Sequence, residues 1–402
     1  MMQVNSKQSD RNWSRHPAHQ QEEANTVIIK RIHIDVFRAA VDNPVVTSFG
    51  SIPSRGIAML RLEDSDGVVG WGDIWGNFPT ITTEYRANLA AFLLPDLLLG
   101  KTIDDIPSFY RSLVKSLHVL SVQADEAGPV ASVLAAVDQA LWDLAARRAG
   151  QPLRRLLNPN AADRIPAYAS GLNPGDGPET VVAQRGRGHR AFKLKIGFGD
   201  DIDQRNVQTI VDGMNSDERF FVDANQRWDL EQAKHAADWL SETRVGWLGE
   251  PMVADAPAQD WMALKSAARL PLAGAENIRG LTNVEAAFAW LDYVQPDVGK
   301  WGGVTDCYQI ATSAIAAGKT YCPHWLGGGI GLMHSAQLLA AAGGDGLLEM
   351  DVNANPLRDH VLGDQLAIED GHVSLPTAPG IGIAPDLSGI KDFQVSQVTL
   401  AG

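Results

Sequence analysis

The chain has 402 residues, 45% of them apolar and 20% charged, with a formal net charge of −14 at pH 7. This composition is typical of a globular protein with room for a large barrel and a smaller domain. The acidic balance argues against nucleic acid as a partner, and no apolar run reaches the roughly 20 residues of a membrane helix. The only cysteines are Cys307 and Cys322, which favours a reducing cytoplasm over a disulfide framework. We therefore expect a soluble cytoplasmic protein that does not bind membranes.

The first part of the chain divides into a polar extension and a segment of strands followed by helices. Residues 1–26 are rich in Gln, Asn, Ser and His without periodicity, and they are predicted to be a disordered N-terminal extension. Residues 41–55, rich in Asn, Pro, Ser and Thr, are predicted to be a loop. Strands followed by helices predict an α+β domain over residues 27–160. The predicted strands are 27–36, 56–62 and 68–71, and the predicted helices are 83–98, 104–116 and 131–149.

From residue 161 onward, short apolar runs alternate strictly with helical segments. Eight buried runs separated by helices are typical of a (β/α) barrel rather than an open sheet. The sequence therefore predicts an α/β barrel over residues 161–375. Its predicted strands are 165–170, 191–196, 219–223, 245–250, 271–275, 293–296, 320–323 and 346–349.

Three consecutive predicted strands of this barrel end in an acidic residue. Asp223, Glu250 and Glu276 follow one another at intervals of about 27 and 26 residues, roughly one strand plus one helix plus two loops. Their carboxylates should therefore face one common rim. Three hard oxygen ligands without His or Cys suit Mg²⁺, whose octahedron water or substrate would complete.

Basic side chains are predicted at the same rim. In Ala-Phe-Lys193-Leu-Lys195, the period of two places both lysines on the inner face of the second barrel strand. Inward lysines are costly unless an anion meets them. We expect each lysine to lower the pKa of the other by like-charge repulsion, so that one of them can act as a base.

The last three strand ends add an acid, an imidazole and a further acid. Asp297 and His324 follow neighbouring strands, and a carboxylate there can orient the imidazole and raise its pKa. The eighth strand leads into Glu349, with Asp351 two residues later as an alternative final acid.

These motifs together resemble the enolase superfamily, and specifically its mandelate racemase subgroup. The resemblance covers nearly all of the chain after the extension and implies a modified (β/α)7β barrel with an α+β capping domain, the latter formed by 27–160 and completed by 376–402. It also implies a homo-oligomer, a small-molecule carboxylate substrate and Mg²⁺. The site residues that it implies are the metal ligands Asp223, Glu250 and Glu276 and the catalytic groups Lys193, Lys195, Asp297, His324 and Glu349.

The chemistry that the resemblance implies is removal of the proton next to a carboxylate through an ene-diolate. Mg²⁺, Lys193 and a protonated Glu349 would meet the developing charge. Lys195 and His324 would work on opposite faces of the α-carbon. We expect dehydration of an acid sugar to a 2-keto-3-deoxy acid, with a racemase or epimerase of an α-hydroxy acid as the alternative. A divalent-metal hydrolase is a remote alternative, because it has no need of two inward lysines.

Substrate selection is expected to lie in two loops of the capping domain, residues 43–55 and 75–79. These loops mix polar side chains, Arg55 among them, with aromatic ones. The predicted substrate-binding residues are Asn225, Trp75, Asn77, Phe78 and Trp325.

Overall fold

A computed structural model describes residues 27–402, so the predicted disorder of residues 1–26 lies outside the described residues. The described chain begins with three antiparallel strands and continues with helices. The strands are β1 (Val27–Thr47), β2 (Gly50–Asp64) and β3 (Val69–Ile74), and a short β4 (Thr102–Ile103) pairs with β1. The helices are α1 (Thr82–Leu98), α2 (Ile106–Ser116), α3 (His118–Gln123), α4 (Ala127–Arg148) and α5 (Leu153–Leu157).

The prediction of a loop over residues 41–55 is wrong, because β1 and β2 continue through it as a long hairpin. The ladder resumes at the Val45–Ile52 pair after an irregularity that follows Ala40. Val45 and Ile52 are both 1% exposed, so burial and cross-strand pairing outweigh the weak strand propensity of the local sequence. The bulge accommodates Pro44, which cannot donate to a ladder.

Helix α4 packs directly against β3 because two glycines on the strand bring the backbones together. A Cβ atom on Gly70 would lie 2.0 Å from the carbonyl oxygen of Ala140, and one on Gly72 would lie 2.1 Å from that of Ala136. The other side of α4 contacts the barrel, where Trp142 Nε1 donates to Thr305 Oγ1 at 2.9 Å. This helix therefore joins the N-terminal sheet to the rest of the molecule.

Residues 164–351 form eight parallel strands alternating with seven helices. Hydrogen-bonded neighbours follow the order β12, β5, β6, β7, β8, β9, β10, β11, which confirms the predicted (β/α)7β architecture. The strands are β5 (Arg164–Leu172), β6 (Ala191–Lys195), β7 (Arg219–Asp223), β8 (Val245–Gly249), β9 (Leu272–Gly274), β10 (Tyr293–Val294), β11 (Thr320–Tyr321) and β12 (Leu348–Asp351). The helices are α6 (Gly177–Gly186), α7 (Asp200–Asp212), α8 (Leu230–Leu240), α9 (Ala258–Ala267), α10 (Leu281–Ala287), α11 (Gly303–Ala316) and α12 (Gly329–Ala342).

The seam between β11 and β12 is held by contacts other than a strand ladder. The N–H of Leu347 donates to Cys322 Sγ at 3.3 Å, and Gly346 passes so close to Tyr321 that a Cβ atom would lie 1.8 Å from its carbonyl oxygen. Cys322 and Cys307 are both free and buried.

The end of the chain returns to the first sheet. After α13 (Pro356–Leu362), the hairpin of β13 (Ile368–Glu369) and β14 (His372–Ser374) pairs antiparallel with β5. A 3-10 helix (Ser388–Phe393) leads into β15 (Gln394–Ala401), which pairs antiparallel with β1. Within residues 27–402, no helix has the length and apolar character needed to cross a membrane.

Candidate active site

The eight predicted catalytic and metal-binding side chains meet at one mouth of the barrel, at the C-terminal ends of its strands. Lys193 and Lys195 belong to β6, Asp223 ends β7, and Glu349 belongs to β12. The others lie in the loops that directly follow their strands. All eight are buried, with exposed fractions of 0–7%. They are Lys193, Lys195, Asp223, Glu250, Glu276, Asp297, His324 and Glu349.

The backbone turns sharply where the acidic residues leave their strands. Asn225, Glu250 and Ala275 have positive φ values of 46°, 42° and 91°. Residues other than glycine adopt this conformation only where the surrounding structure imposes it, and such strain is common at functional sites. The turns are held by the acids themselves: Asp223 Oδ1 accepts from the N–H of Asn225 at 2.9 Å, and Glu250 Oε1 accepts from that of Ala275 at 2.9 Å.

One side of the mouth is built from the two lysines and their acidic partners. Lys193 Nζ lies 2.6 Å from Glu349 Oε1, and Lys195 Nζ lies 2.7 Å from Asp223 Oδ2. Ser170 Oγ donates to Glu349 Oε1 at 2.5 Å, and the N–H of Trp325 donates to its other oxygen at 3.2 Å. These contacts select Glu349 rather than Asp351 as the acid that reaches the lysines.

The protonation states differ from those predicted for this pair. Burial lowers the pKa of Lys193, but the carboxylate of Glu349 outweighs it and raises that pKa well above the usual value. Burial likewise raises the pKa of Glu349, but Lys193 and then His324 bring it down to about 2. The expected lowered pKa of Lys193 and protonated Glu349 are therefore wrong for this arrangement, because the opposite charge lies closer than the like charge.

His324 contacts two other acidic residues of the mouth. Its Nδ1 lies 2.6 Å from Asp297 Oδ2, which is the predicted pairing, and its Nε2 lies 2.8 Å from Glu276 Oε2. Burial lowers the pKa of His324, but Glu276 and Glu349 raise it more, to about 9. Asp297 is itself fixed, since its Oδ1 accepts from the N–H groups of Gly299 and Lys300 at 2.8 and 3.0 Å.

Lys300 belongs to the site although the sequence assigned it no role. Its Nζ lies 3.0 Å from Asn277 Oδ1 and 3.5 Å from Glu276 Oε1. The same ammonium group lies 4.9 Å from the centre of the Trp75 ring. The signal in the sequence is its position three residues after Asp297, but spacing alone does not reveal that the side chain turns toward Glu276.

The three acidic strand ends suit a divalent cation. Asp223, Glu250 and Glu276 offer only hard oxygen donors. Burial, together with the negative charges of Glu276 and Asp223, raises the pKa of Glu250 to about 8, and a cation bound there would favour the charged form of its carboxylate. Among residues 27–402, no three Asp, Glu, His or Cys side chains already surround a single point as metal ligands. Asp223 and Glu276 bond instead to Lys195 and His324, and metal binding would exchange these contacts.

The hairpin of β1 and β2 covers the mouth. Ser48 Oγ, at its tip, donates to the carbonyl oxygen of Asn225 at 2.6 Å, and the N–H of Val46 donates to Asn173 Oδ1 at 2.9 Å. Among the predicted substrate-binding residues, Asn225 lies under this tip and Phe78 approaches it, with Cζ 3.8 Å from where a Cβ of Gly50 would lie.

The other predicted substrate-binding residues, Trp75, Asn77 and Trp325, differ in whether their polar groups already have partners in the protein. Trp75 has two cations near its ring, Lys300 and Arg86, at 4.9 and 5.1 Å from the ring centre. Asn77 is buried, and neither polar atom of its amide has a partner among the described residues. Trp325 instead packs its ring on Gly331 and donates its indole N–H to a backbone carbonyl at 2.8 Å, so it shapes the wall of the site.

Known proteins share both halves of this architecture. The enolase C-terminal domain-like family matches residues 179–389, and the N-terminal domain family of mandelate racemase and muconate lactonizing enzyme matches residues 31–158. The chain therefore belongs to the enolase superfamily of enzymes, in its mandelate racemase and muconate lactonizing enzyme group.

Two relatives match most of the chain. D-galactarolactone cycloisomerase of Agrobacterium fabrum is 26% identical over 385 residues, covering 91% of this chain and 99% of the relative. D-galactonate dehydratase of Pectobacterium atrosepticum is 29% identical over 347 residues, covering 81% and 87%.

Two solved structures match over a similar extent. The mandelate racemase/muconate lactonizing enzyme from Bordetella bronchiseptica RB50 has a TM-score of 0.86 and 42% identity, covering 91% of this chain and 99% of that one. A racemase from Streptomyces coelicolor A3(2) with bound magnesium has a TM-score of 0.82 and 26% identity, covering 92% and 100%.

Proposed function

We propose that this enzyme removes the proton α to the carboxylate of an acid sugar and eliminates the β-hydroxyl group, giving a 2-keto-3-deoxy acid. The observation that carries the proposal is the placement of Lys195 and His324. Lys195 bonds to Asp223 at 2.7 Å and His324 bonds to Glu276 at 2.8 Å. Two groups that can exchange protons thus contact different members of the carboxylate cluster.

The cofactor that we propose is Mg²⁺, held by Asp223, Glu250 and Glu276. When bound, it supplies positive charge to the substrate carboxylate and so stabilises the ene-diolate. The racemase from Streptomyces coelicolor, which contains magnesium, supports this choice, as does the all-oxygen donor set.

The chain's own residues supply the proton transfers. Lys195 acts as the base that takes the α-proton, and the C–H electron pair becomes the C=C bond of the enol. Lys193 donates hydrogen bonds to the substrate carboxylate where negative charge develops. His324, as the imidazolium held by Asp297, gives its proton to the β-oxygen as the C–O bond breaks, so that water leaves. The enol then tautomerises to the 2-keto acid, and the proton that Lys195 holds replaces the one lost by His324.

The relatives favour elimination of a β-oxygen from a sugar acid. A D-galactonate dehydratase and a D-galactarolactone cycloisomerase match over more than four fifths of this chain. Racemisation or epimerisation is the second candidate, because His324 can return a proton to the face opposite Lys195, and the magnesium-containing neighbour is a racemase.

The test is a screen of the Mg²⁺-loaded protein against mono- and diacid sugars in D2O, following 2-keto acid formation and α-deuterium incorporation together. A keto product that depends on Mg²⁺ supports dehydration. Exchange or inversion without keto product would replace it with the racemase or epimerase function. If no acid sugar or α-hydroxy acid reacts or exchanges, the proposed α-proton abstraction is wrong.

A further inference from the structure

Arg55 is a fully buried cation with hydrogen-bonding capacity that the protein leaves unused. Its exposed fraction is 0%, and its Nη2 forms an ion pair with Asp351 Oδ2. Its Nε and Nη1 have no hydrogen-bond partner among residues 27–402. Buried guanidinium donors are rarely left without an acceptor, because desolvation without a partner is costly.

The neighbouring acid has other partners besides Arg55. Asp351 Oδ2 also lies 3.3 Å from Arg358 Nη1, and its Oδ1 accepts from the N–H and the side-chain amide of Asn353 at 3.0 and 2.8 Å. Asp351 is thus hydrogen-bonded on both oxygens and paired with a second cation. Arg55 is therefore not the only cation that neutralises Asp351, and its Nε and Nη1 donors are open to another anion.

Arg55 lies over the end of the strand that carries Glu349. Asp351 is two residues beyond Glu349 on β12, on the same face and about 7 Å away at roughly 3.3 Å per residue. It pairs in register with Ser170, the residue whose hydroxyl bonds to Glu349. Arg55 therefore lies at the outer end of the site, on the side of the Lys193–Glu349 pair.

We propose that Arg55 binds a second carboxylate of the substrate, so that the natural substrate is a diacid sugar. This inference rests on the proposed function, which accounts for the first carboxylate. A guanidinium is suited to this task because its planar donors match carboxylate geometry.

Arg55 also connects binding of the distal carboxylate to the position of the β1–β2 hairpin that covers the mouth. It lies on β2, the second arm of the hairpin whose tip is fixed by Ser48 on Asn225. Binding of the distal carboxylate to Arg55 pulls on the same element that covers the reacting groups. A monoacid sugar, which ends in a hydroxymethyl group, would leave the guanidinium without its anion and the closed state less favoured.

The experiment compares matched acid pairs that differ only at the far end of the chain, such as galactarate and galactonate, across the available sugar configurations. For the reacting configuration, kcat/KM of the wild type should be at least about 10-fold higher for the diacid, given the size of a charge-assisted hydrogen bond. Arg55→Met should lower kcat/KM for the diacid about 10- to 150-fold, mainly through KM, and leave that for the monoacid within about threefold.

Two further variants separate recognition from folding. Arg61→Met removes another arginine of β2, which forms an ion pair of 2.7 Å with Asp35 and lies away from the mouth. This variant should leave the diacid preference unchanged. Arg55→Lys retains the positive charge but lacks the planar pair of guanidinium donors. If the Met variant does not fold, the Lys variant should still show part of the preference for diacids. Equal use of mono- and diacids by the wild type, or equal losses for both in the Arg55 variants, would overturn the inference and leave α-proton abstraction standing.

Binding measured by calorimetry with the Mg²⁺-loaded protein keeps the inference separate from turnover. Tighter binding of diacids than of matched monoacids, lost in Arg55→Met, supports it even when neither acid reacts. In that case only the proposed reaction fails. Equal binding of both classes contradicts the role of Arg55.

Discussion

Replacing Asp297 by asparagine should separate the two proton transfers of the proposed reaction. The amide keeps an oxygen that can accept from the N–H groups of Gly299 and Lys300, which lie 2.8 and 3.0 Å from Oδ1. It places an NH₂ group where Oδ2 now lies 2.6 Å from His324 Nδ1. The imidazolium then loses its charged partner at Nδ1 and keeps only Glu276 at Nε2, and the neutral ring is driven toward the other tautomer.

The size of the effect follows from the contact that is lost. A hydrogen bond to a charged group contributes about 1.5–3 kcal/mol, and since 1.36 kcal/mol is tenfold in rate, keto acid formation should slow about 10- to 150-fold. A wrongly fixed tautomer would extend the loss toward about 10⁴-fold, the effect of the corresponding substitution in a serine protease triad. Exchange of the α-proton through Lys195 should change much less.

The assay follows both events in one sample by NMR in D2O, with the Asp297→Asn protein and the best substrate of the screen. Circular dichroism and thermal unfolding establish that the variant is folded. Equal loss of exchange and elimination in a folded variant would refute the division of roles between Lys195 and His324. An unchanged elimination rate would refute the role of the dyad altogether.

Three further outcomes are expected. Gly72→Ala should destabilise the protein by about 1–3 kcal/mol in urea unfolding, because the new methyl group would lie 2.1 Å from the carbonyl oxygen of Ala136. Chelation of Mg²⁺ should lower the melting temperature of the wild type, and Glu250→Gln should remove most of that response, because the amide is a weaker metal ligand than a carboxylate. Burial is the main cause that lowers the pKa of His334 to about 4. Between about pH 4 and pH 6.5, the unfolded state therefore binds a proton at this residue and the folded state does not. Its contribution of about 3 kcal/mol is full above pH 6.5 and is lost as pH falls toward 4, which urea unfolding of His334→Gln at pH 7 and pH 5 should reveal as a weaker pH dependence.

Each outcome has a control or a contradiction. Gly186→Ala, where no atom lies within 4 Å of the new Cβ, should cost nothing comparable, and an equal cost would refute the packing argument for Gly72. A pH dependence in His334→Gln equal to that of the wild type would refute the account of acid stability. A full Mg²⁺ response in Glu250→Gln would show that the cation binds elsewhere.

The (β/α)7β barrel could be predicted from the sequence because each strand is a short buried run that ends in a chemically distinct residue. The period of two along β6 places Lys193 and Lys195 on one face regardless of what surrounds them. The same reasoning brings Asp223, Glu250 and Glu276 to one rim, and the structure gathers them there. Their roles as metal ligands and bases stay predictions.

The features that the sequence missed depend on partners far along the chain. The hairpin over residues 41–55 has the composition of a loop, and it is a pair of strands because Val45 and Ile52 find buried positions opposite each other. The ion pair of Arg55 with Asp351 joins residues 296 positions apart, and no local pattern reveals it. The prediction of a lowered pKa for Lys193 failed because that pKa depends on the distance to Glu349, a residue far along the chain.

The measurement that tests the central claim most directly is α-proton exchange and keto acid formation by Lys195→Ala and His324→Ala, each loaded with Mg²⁺ in D2O. We expect Lys195→Ala to lose both exchange and product. His324→Ala should retain exchange but lose elimination of water. If both variants exchange and eliminate at the wild-type rate, Lys195 and His324 are not the groups that move the protons, and the proposed site is wrong.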